Sequence, residues 1–171
     1  MRISVAEYLR EVYEPDAEYV NGEVVERNAG EFNHSRMQTL IACKLGEFEE
    51  THGVYVLVAQ RVRVAEERYR VLDVVVLVRP FRITPVLLEL PAMVIEVLSP
   101  EDRMSMMMAK VTDYERFGIG NIFVIDPDQR VLFKAEAGGI EPLPDRTLRL
   151  ATPTGEVSVD FNPLFGDIAS F

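Results

Sequence analysis

Three runs of branched aliphatic residues in the middle of the chain constrain the fold more than any other feature. They cover residues 54–65 (VYVLVAQRVRVA), 69–79 (YRVLDVVVLVR) and 92–98 (AMVIEVL). Runs this dense in Val, Ile and Leu are typical of strands in the middle of a sheet, where both faces are covered by other parts of the protein. We therefore expect these three segments to form the centre of a β-sheet.

Shorter patterns on either side of these runs predict helices and hairpins. Ser4 and Glu7 have the spacing of a capping box at the start of a first helix. Apolar residues at three- and four-residue intervals predict two further helices, and turn residues between alternating apolar runs predict hairpins. The predicted helices cover 4–13, 33–50 and 102–117, and the hairpins turn at Asn21-Gly22 and at Pro127-Asp128-Gln129.

The predicted order of elements is α-ββ-α-β-β-β-α-β-β, which describes a mixed β-sheet flanked by helices. At 171 residues the chain has the length of about one ordinary domain. We expect a single α/β domain with a core over about 4–135. A strand and loop tail with several prolines is predicted over 136–171.

Charge and cysteine content narrow the classes of function. The chain has 28 acidic and 18 basic residues, a net charge of −10, which excludes a generic basic nucleic-acid coat. Residues 61–134 hold 11 of the basic residues, so an anionic partner is expected to bind there. One cysteine excludes an intramolecular disulfide, and no apolar run reaches the roughly 18 residues of a membrane span. A cytoplasmic protein without membrane contact is expected.

Two carboxylates interrupt the apolar strands. Asp73 lies within VLDVVVLV, and Glu96 lies within AMVIEVL. Neighbouring buried carboxylates repel each other unless a cation lies between them, and their hard oxygens suit Mg²⁺ or Mn²⁺. The alternative is that each acid emerges at the end of its strand and is solvated.

A lysine in the following helix is the third unusual charge. At 100° per residue, Lys110 lies on the same stripe as Met106, Met107, Tyr114 and Phe117, which should face the sheet. A lysine in such a position either reaches out to solvent or directs its ammonium group at buried carboxylates. Two metal-binding acids with a lysine beside them form a set of groups suited to phosphodiester hydrolysis.

These residues lie in motifs that resemble a known family. RVLDVVVLV, PAMVIEVLSP and KVTDYERFGIGNIFVIDP are similar to segments of the bacterial Uma-type restriction endonuclease family, within the PD-(D/E)XK nuclease superfamily. AEYVNGEVVE resembles the Tyr-Glu-Leu-x-x-Gly-Glu segment of the family, and His34 matches a histidine that opens its next helix. The resemblance covers about residues 4–135.

The resemblance implies a restriction-endonuclease-like fold and a Mg²⁺-dependent endonuclease that acts on DNA. It further implies that Asp73 and Glu96 are the metal ligands and that Lys110 is the catalytic lysine. Glu18 would be an additional acidic residue near the site. Small nucleases of this kind often act as homodimers, so a homodimer is also considered.

Three positions depart from the family pattern. Leu72 replaces the proline that usually precedes the aspartate, and Leu98 occupies the lysine position of the superfamily motif Glu-x-Lys. This family places its lysine in the next helix, as Lys110 does here. Met106 stands where an aspartate is common, which leaves the Asp-Glu-Lys triad intact.

The sequence allows a second interpretation for several residues and for the function. Glu18 can also be a solvated residue of the hairpin, and His34 can also be a polar residue at the start of a helix. Arg61 and Arg63 share one face of a strand, either as a charged solvent face or as a strip that contacts phosphates. The alternatives to a nuclease are a catalytically weak nucleic-acid-associated or scaffold module, and a hydrolase of small phosphate esters.

Overall fold

The computed structural model describes residues 2–27 and 30–170, and within them the chain forms five helices and ten strands. The helices are α1 (Val5–Arg10), α2 (Phe32–Gly46), α3 (Glu49–His52), α4 (Met104–Phe117) and α5 (Asn162–Gly166). The strands are β1 (Ala17–Val20), β2 (Glu23–Glu26), β3 (Val54–Ala65), β4 (Arg68–Val78), β5 (Met93–Val97), β6 (Ile122–Asp126), β7 (Val131–Glu136), β8 (Gly139–Pro142), β9 (Thr147–Thr152) and β10 (Gly155–Asp160).

The central element is an eight-stranded mixed sheet. Its order is β2-β1-β4-β5-β6-β7-β8, and β3 pairs with β4 outside this path. Of the strand pairs described, β5 and β6 run parallel, because α4 connects them across one face of the sheet. The remaining neighbours are antiparallel. The predicted fold class, a mixed sheet flanked by helices, is confirmed.

The sheet is covered on both faces, as the density of aliphatic residues in its central strands predicts. Helix α2 packs on one face through Met37, Ile41 and Leu45, and α4 packs on the other through Met107 and Val111. In β4 every residue from Tyr69 to Leu77 is buried. The three long apolar runs of the sequence are therefore β3, β4 and β5, with bounds close to those predicted.

The C-terminal stretch contributes more structure than the strand and loop tail expected there. It forms β8, the hairpin β9–β10 and α5. Buried side chains of this stretch, including Leu148, Val157 and Phe161, belong to the same apolar cluster as helix α2. The hydrophobic core thus extends beyond the predicted core of 4–135.

The N-terminal segment confirms two local predictions. Ser4 and Glu7 form the capping box of α1, and Asn21 and Gly22 both have positive φ (50° and 93°) in the turn between β1 and β2. Glycine suits this turn because φ above zero strains other residues. In the first turn of α2, the buried Asn33 side chain donates to Asp128 and to the carbonyl of Ala169.

Within residues 2–27 and 30–170, no helix has both the length and the apolar character needed to cross a membrane.

Candidate active site

The candidate site lies beside strand β4, between the two strands β1 and β5 that pair with the same edge of β4. Strand β3 pairs with the other edge of β4 along its whole length. On the edge that β1 and β5 share, β1 pairs with β4 only as far as Tyr69, and β5 pairs with β4 only from Val74 onward. Within the described part of the chain, residues 70–73 of β4 therefore have no strand neighbour on that edge. A cavity of about 270 Å³ opens at this gap. Its lining includes Glu18, Arg27, Arg70, Asp73, Glu96 and Lys110.

Asp73 and Glu96 reach the cavity from two neighbouring strands. The pairing of β4 with β5 ends at Val74 and Ile95, and Asp73 and Glu96 are the next residue beyond that pair on each strand. Asp73 is contacted by side chains of α2, and Glu96 is contacted by side chains of α4. Both side chains are buried and both line the cavity. The structure therefore brings the two predicted carboxylates together, as the proposal of a shared cation requires.

Four groups surround the Asp73 carboxylate. Oδ1 accepts from Arg27 Nη2 at 2.5 Å and from Gln38 Nε2 at 2.9 Å. Oδ2 accepts from the Val97 amide at 2.9 Å and lies 3.3 Å from His34 Nε2. Burial raises the pKa of Asp73, but the hydrogen bond from His34 and the charges of His34 and Arg27 lower it below its ordinary value. Asp73 is thus held as a carboxylate.

Glu96 is fully buried and less completely neutralised. Its Oε1 accepts from the Tyr114 hydroxyl at 2.6 Å and its Oε2 accepts from Lys110 Nζ at 3.1 Å. Burial raises the pKa of Glu96 to about 7, and the negative charge of Asp73 adds to this, although Lys110 opposes it. The two carboxylates of the site therefore differ in how readily they bind a proton.

Lys110 reaches the buried carboxylates rather than solvent. Its Nζ lies 3.1 Å from Glu96 Oε2 and 3.6 Å from Glu18 Oε1. Burial lowers the pKa of Lys110, but the charges of Glu96, Glu18 and Asp73 together raise it above its ordinary value. The ammonium group stays protonated inside the cavity. Of the two orientations considered from the sequence, the structure has the inward one.

Glu18 joins Lys110 to a second charged cluster. It accepts from Arg70 Nη1 at 2.7 Å and from the Val71 amide at 3.1 Å, a backbone group that the gap in the sheet leaves without a strand partner. Arg70 also donates to Asp113 through Nε and Nη2, at 2.9 and 2.6 Å. Glu18 is buried, so it is not the solvated hairpin residue considered as the alternative.

Several residues of the site were not singled out from the sequence. Arg27 and Gln38 contact Asp73, and Tyr114 contacts Glu96. The sequence could have indicated two of these residues by helical spacing. Gln38 follows His34 by four residues and Tyr114 follows Lys110 by four residues, so each pair lies on one face of its helix. No sequence pattern indicated Arg27, because only the tertiary structure brings the end of β2 close to β4.

The arginines of β3 occupy positions that weaken the idea of a free phosphate-binding strip. Arg61 packs on the Tyr8 ring, 4.8 Å from its centroid, and lies 3.5 Å from Asp16. Arg63 is exposed outside the cavity lining. Met106, where the family commonly has aspartate, is exposed at the rim of the cavity.

The donor set around the cavity fits a magnesium-type ion held by few protein ligands. Among residues 2–27 and 30–170, no group of three or more His, Cys, Asp or Glu side chains surrounds a common metal position. Mg²⁺ commonly keeps several waters and takes only one or two carboxylates, which Asp73 and Glu96 can supply. The incomplete neutralisation of Glu96 is consistent with a carboxylate that accepts a further cation.

Comparisons with known proteins agree with this fold and with the motifs. The model of the Uma2 family, described as "Putative restriction endonuclease", matches residues 5–150. A crystal structure of a protein from Anabaena variabilis ATCC 29413, described as a putative nuclease belonging to DUF820, is similar in fold, with a TM-score of 0.79 and 20% identity. The match covers 96% of this chain and 98% of that chain. No curated protein matches the chain.

The structural match and the family match establish different properties of the chain. At 20% identity the structural match establishes the fold and leaves the chemistry open. The family match covers most of the chain, from the first helix to β9, and includes the three motifs quoted above. It confirms the resemblance drawn from those motifs: the chain belongs to the Uma2 family.

Proposed function

We propose that this protein is a metal-dependent nuclease that hydrolyses phosphodiester bonds of DNA in the cytoplasm. Asp73 and Glu96 would hold Mg²⁺ or Mn²⁺, and Lys110 would be the catalytic lysine. The observation that carries the proposal is the position of the Lys110 ammonium group, 3.1 Å from Glu96 in the cavity that Asp73 also lines. The description of the Uma2 family supports the same class of activity.

Each residue has a distinct part in this proposal. A bound divalent ion would polarise the phosphate and lower the pKa of a water molecule. Lys110, kept charged by its acidic neighbours, would donate to a phosphate oxygen and stabilise the charge that develops there. Glu18 would act as a positioning residue, because it contacts both Lys110 and Arg70.

The acidic character of the chain predicts how the substrate binds. A net charge of −10 repels a polyanion at long range, so affinity must come from local contacts at the cavity. We therefore expect weak binding to DNA that falls further as salt is raised. Cleavage of both strands of a duplex would favour two copies acting together, which sedimentation in the presence of DNA measures.

The direct test is cleavage of supercoiled and single-stranded DNA in Mg²⁺ and in Mn²⁺. Asp73→Asn should abolish cleavage while the fold is retained, because the amide keeps the volume of the side chain and removes the charge that a metal ligand supplies. Circular dichroism verifies the fold. Asp145→Asn is the matched control, since it makes the same change at an exposed residue far from the cavity.

Two results would contradict the proposal. Full activity of Asp73→Asn in Mg²⁺, or undiminished activity in excess EDTA, would remove the metal mechanism. RNA and a simple phosphate diester are assayed in parallel. Hydrolysis of the small ester alone would replace the nuclease with a phosphate-ester hydrolase.

A further inference from the structure

The Asp73 carboxylate has no free acceptor position. Arg27, Gln38, His34 and the Val97 amide occupy its two oxygens, at distances between 2.5 and 3.3 Å. A carboxylate offers about four lone-pair directions, two on each oxygen. A metal ion that takes Asp73 as a ligand must therefore displace one of these four groups.

Of the four groups, Arg27 is the one that a metal ion displaces at least cost. The Val97 amide is part of the main chain, and Gln38 and His34 are fixed one turn apart on helix α2. Gln38 carries no charge, whereas the guanidinium of Arg27 is always positive and is repelled by a second cation. Arg27 also has a long side chain at the end of β2 and is partly exposed to solvent, so it can leave.

The buried ion pairs beside the cavity balance in charge without a metal ion, although the less buried acids Glu23, Glu26 and Asp102 also line the cavity. Within residues 2–27 and 30–170, the Arg and Lys ion pairs at this place join four carboxylates and four cations, and His34 also lies beside Asp73. The carboxylates are Glu18, Asp73, Glu96 and Asp113, and the cations are Arg27, Arg68, Arg70 and Lys110. A divalent ion added to this set leaves an excess of positive charge in a largely buried place, which is unfavourable. Release of Arg27 to solvent reduces that excess.

We propose that Arg27 is the resident counter-ion of Asp73, and that it competes with the divalent ion for this carboxylate and so sets the metal affinity of the site. This inference rests on the proposed function, since it takes Asp73 as a metal ligand. Before the metal binds, Arg27 keeps a buried carboxylate paired. When the metal binds, the guanidinium gives up its place beside Asp73.

The test is a titration of the full-length protein with MnCl₂, in which free Mn²⁺ is measured by its EPR signal. Arg27→Gln removes the competing charge and should lower the Kd for Mn²⁺ by about tenfold or more, since unit charges at this range interact by several times RT. Arg82→Gln is the matched control. It makes the same change in net charge at an exposed residue outside the cavity and should leave the Kd within about twofold of wild type.

The outcomes separate this inference from the proposed function. If the wild type binds Mn²⁺ and Arg27→Gln binds it no more tightly, Arg27 does not compete and the inference is overturned alone. If neither protein binds Mn²⁺ at millimolar concentration, the metal-dependent function fails together with it.

A second measurement avoids dependence on the stability of Arg27→Gln. In ¹⁵N-labelled wild-type protein, the Nε–H signal of Arg27 is assigned by its loss in Arg27→Lys. Addition of Mg²⁺ should move this signal toward the position of a solvated arginine. A signal that stays in place at saturating Mg²⁺ would overturn the inference.

Discussion

At the scale of single residues, the environment of Lys110 explains why a cation is retained among apolar side chains. Its stem lies on the stripe of α4 that faces the sheet, and its ammonium group is the partner of Glu96, which is fully buried. A buried carboxylate without a partner is costly, so Lys110 compensates Glu96 and Glu18 as well as serving the proposed chemistry. The same contacts therefore support both the fold and the site.

Lys110→Met separates these two roles. Met matches the stem, but it leaves Glu96 and Glu18 without their shared cation, so the free energy of unfolding should fall. Cleavage should fall by about 10²-fold or more, the typical cost of losing one electrostatic stabiliser. Urea denaturation and a DNA cleavage assay measure the two effects. Wild-type cleavage by a folded Lys110→Met protein would mean that Lys110 is structural only.

At the scale of secondary structure, helix α4 carries the lysine and an anchor for it on the same face. Lys110 and Asp113 are three residues apart, so they are neighbours on the helix surface. Asp113 accepts from Arg70, and Arg70 in turn donates to Glu18, which faces Lys110. The helix is thus tied to strands β1 and β4 by charged side chains as well as by its apolar stripe.

Asp113→Asn should destabilise the protein more than an ordinary surface change. It removes the charge that pairs with Arg70 and Arg68, and loss of one partner of a buried ion pair costs about 3 kcal/mol or more. The midpoint of urea unfolding reports the change, with Asp145→Asn as the exposed control. A difference between the two variants below about 1 kcal/mol would show that the Arg70–Asp113 pair contributes little to stability.

At the scale of the whole molecule, the C-terminal segment closes the core on the α2 face of the sheet. Phe161, between β10 and α5, is fully buried in the same apolar cluster as Met37 and Ile41. Helix α2 also carries His34 and Gln38, which contact Asp73 from this side. The segment after residue 135 therefore supports the helix that orients part of the site.

Phe161→Ala tests this dependence. Truncation of a buried phenylalanine costs about 3–5 kcal/mol, through lost burial and the cavity left behind. Ile83→Ala is the control, because Ile83 is 85% exposed and should change the stability little. Thermal unfolding followed by circular dichroism measures both. A Phe161→Ala variant as stable as Ile83→Ala would mean that the C-terminal segment adds little to the core.

The chain's local patterns were sufficient to predict most of the sheet and to single out three residues that line the candidate site. Val-rich runs located β3, β4 and β5, because strands covered on both faces must be apolar throughout. The same rule made Asp73 and Glu96 visible as exceptions, and helical periodicity placed Lys110 toward the sheet. These features depend on residues near one another in sequence, which is why the sequence carries them.

The partners of those residues were decided only by the tertiary structure. Arg27 meets Asp73 across 46 positions of the chain, and Arg70 meets Asp113 across 43. No periodicity links residues so far apart, since their contact depends on the pairing of β1 with β4 and on the gap that β5 leaves beside it. The sequence by itself determined that Asp73 and Glu96 are buried, because the apolar runs around them show where burial is. The tertiary structure determined which charges face each other, because electrostatic pairing depends on distance in space.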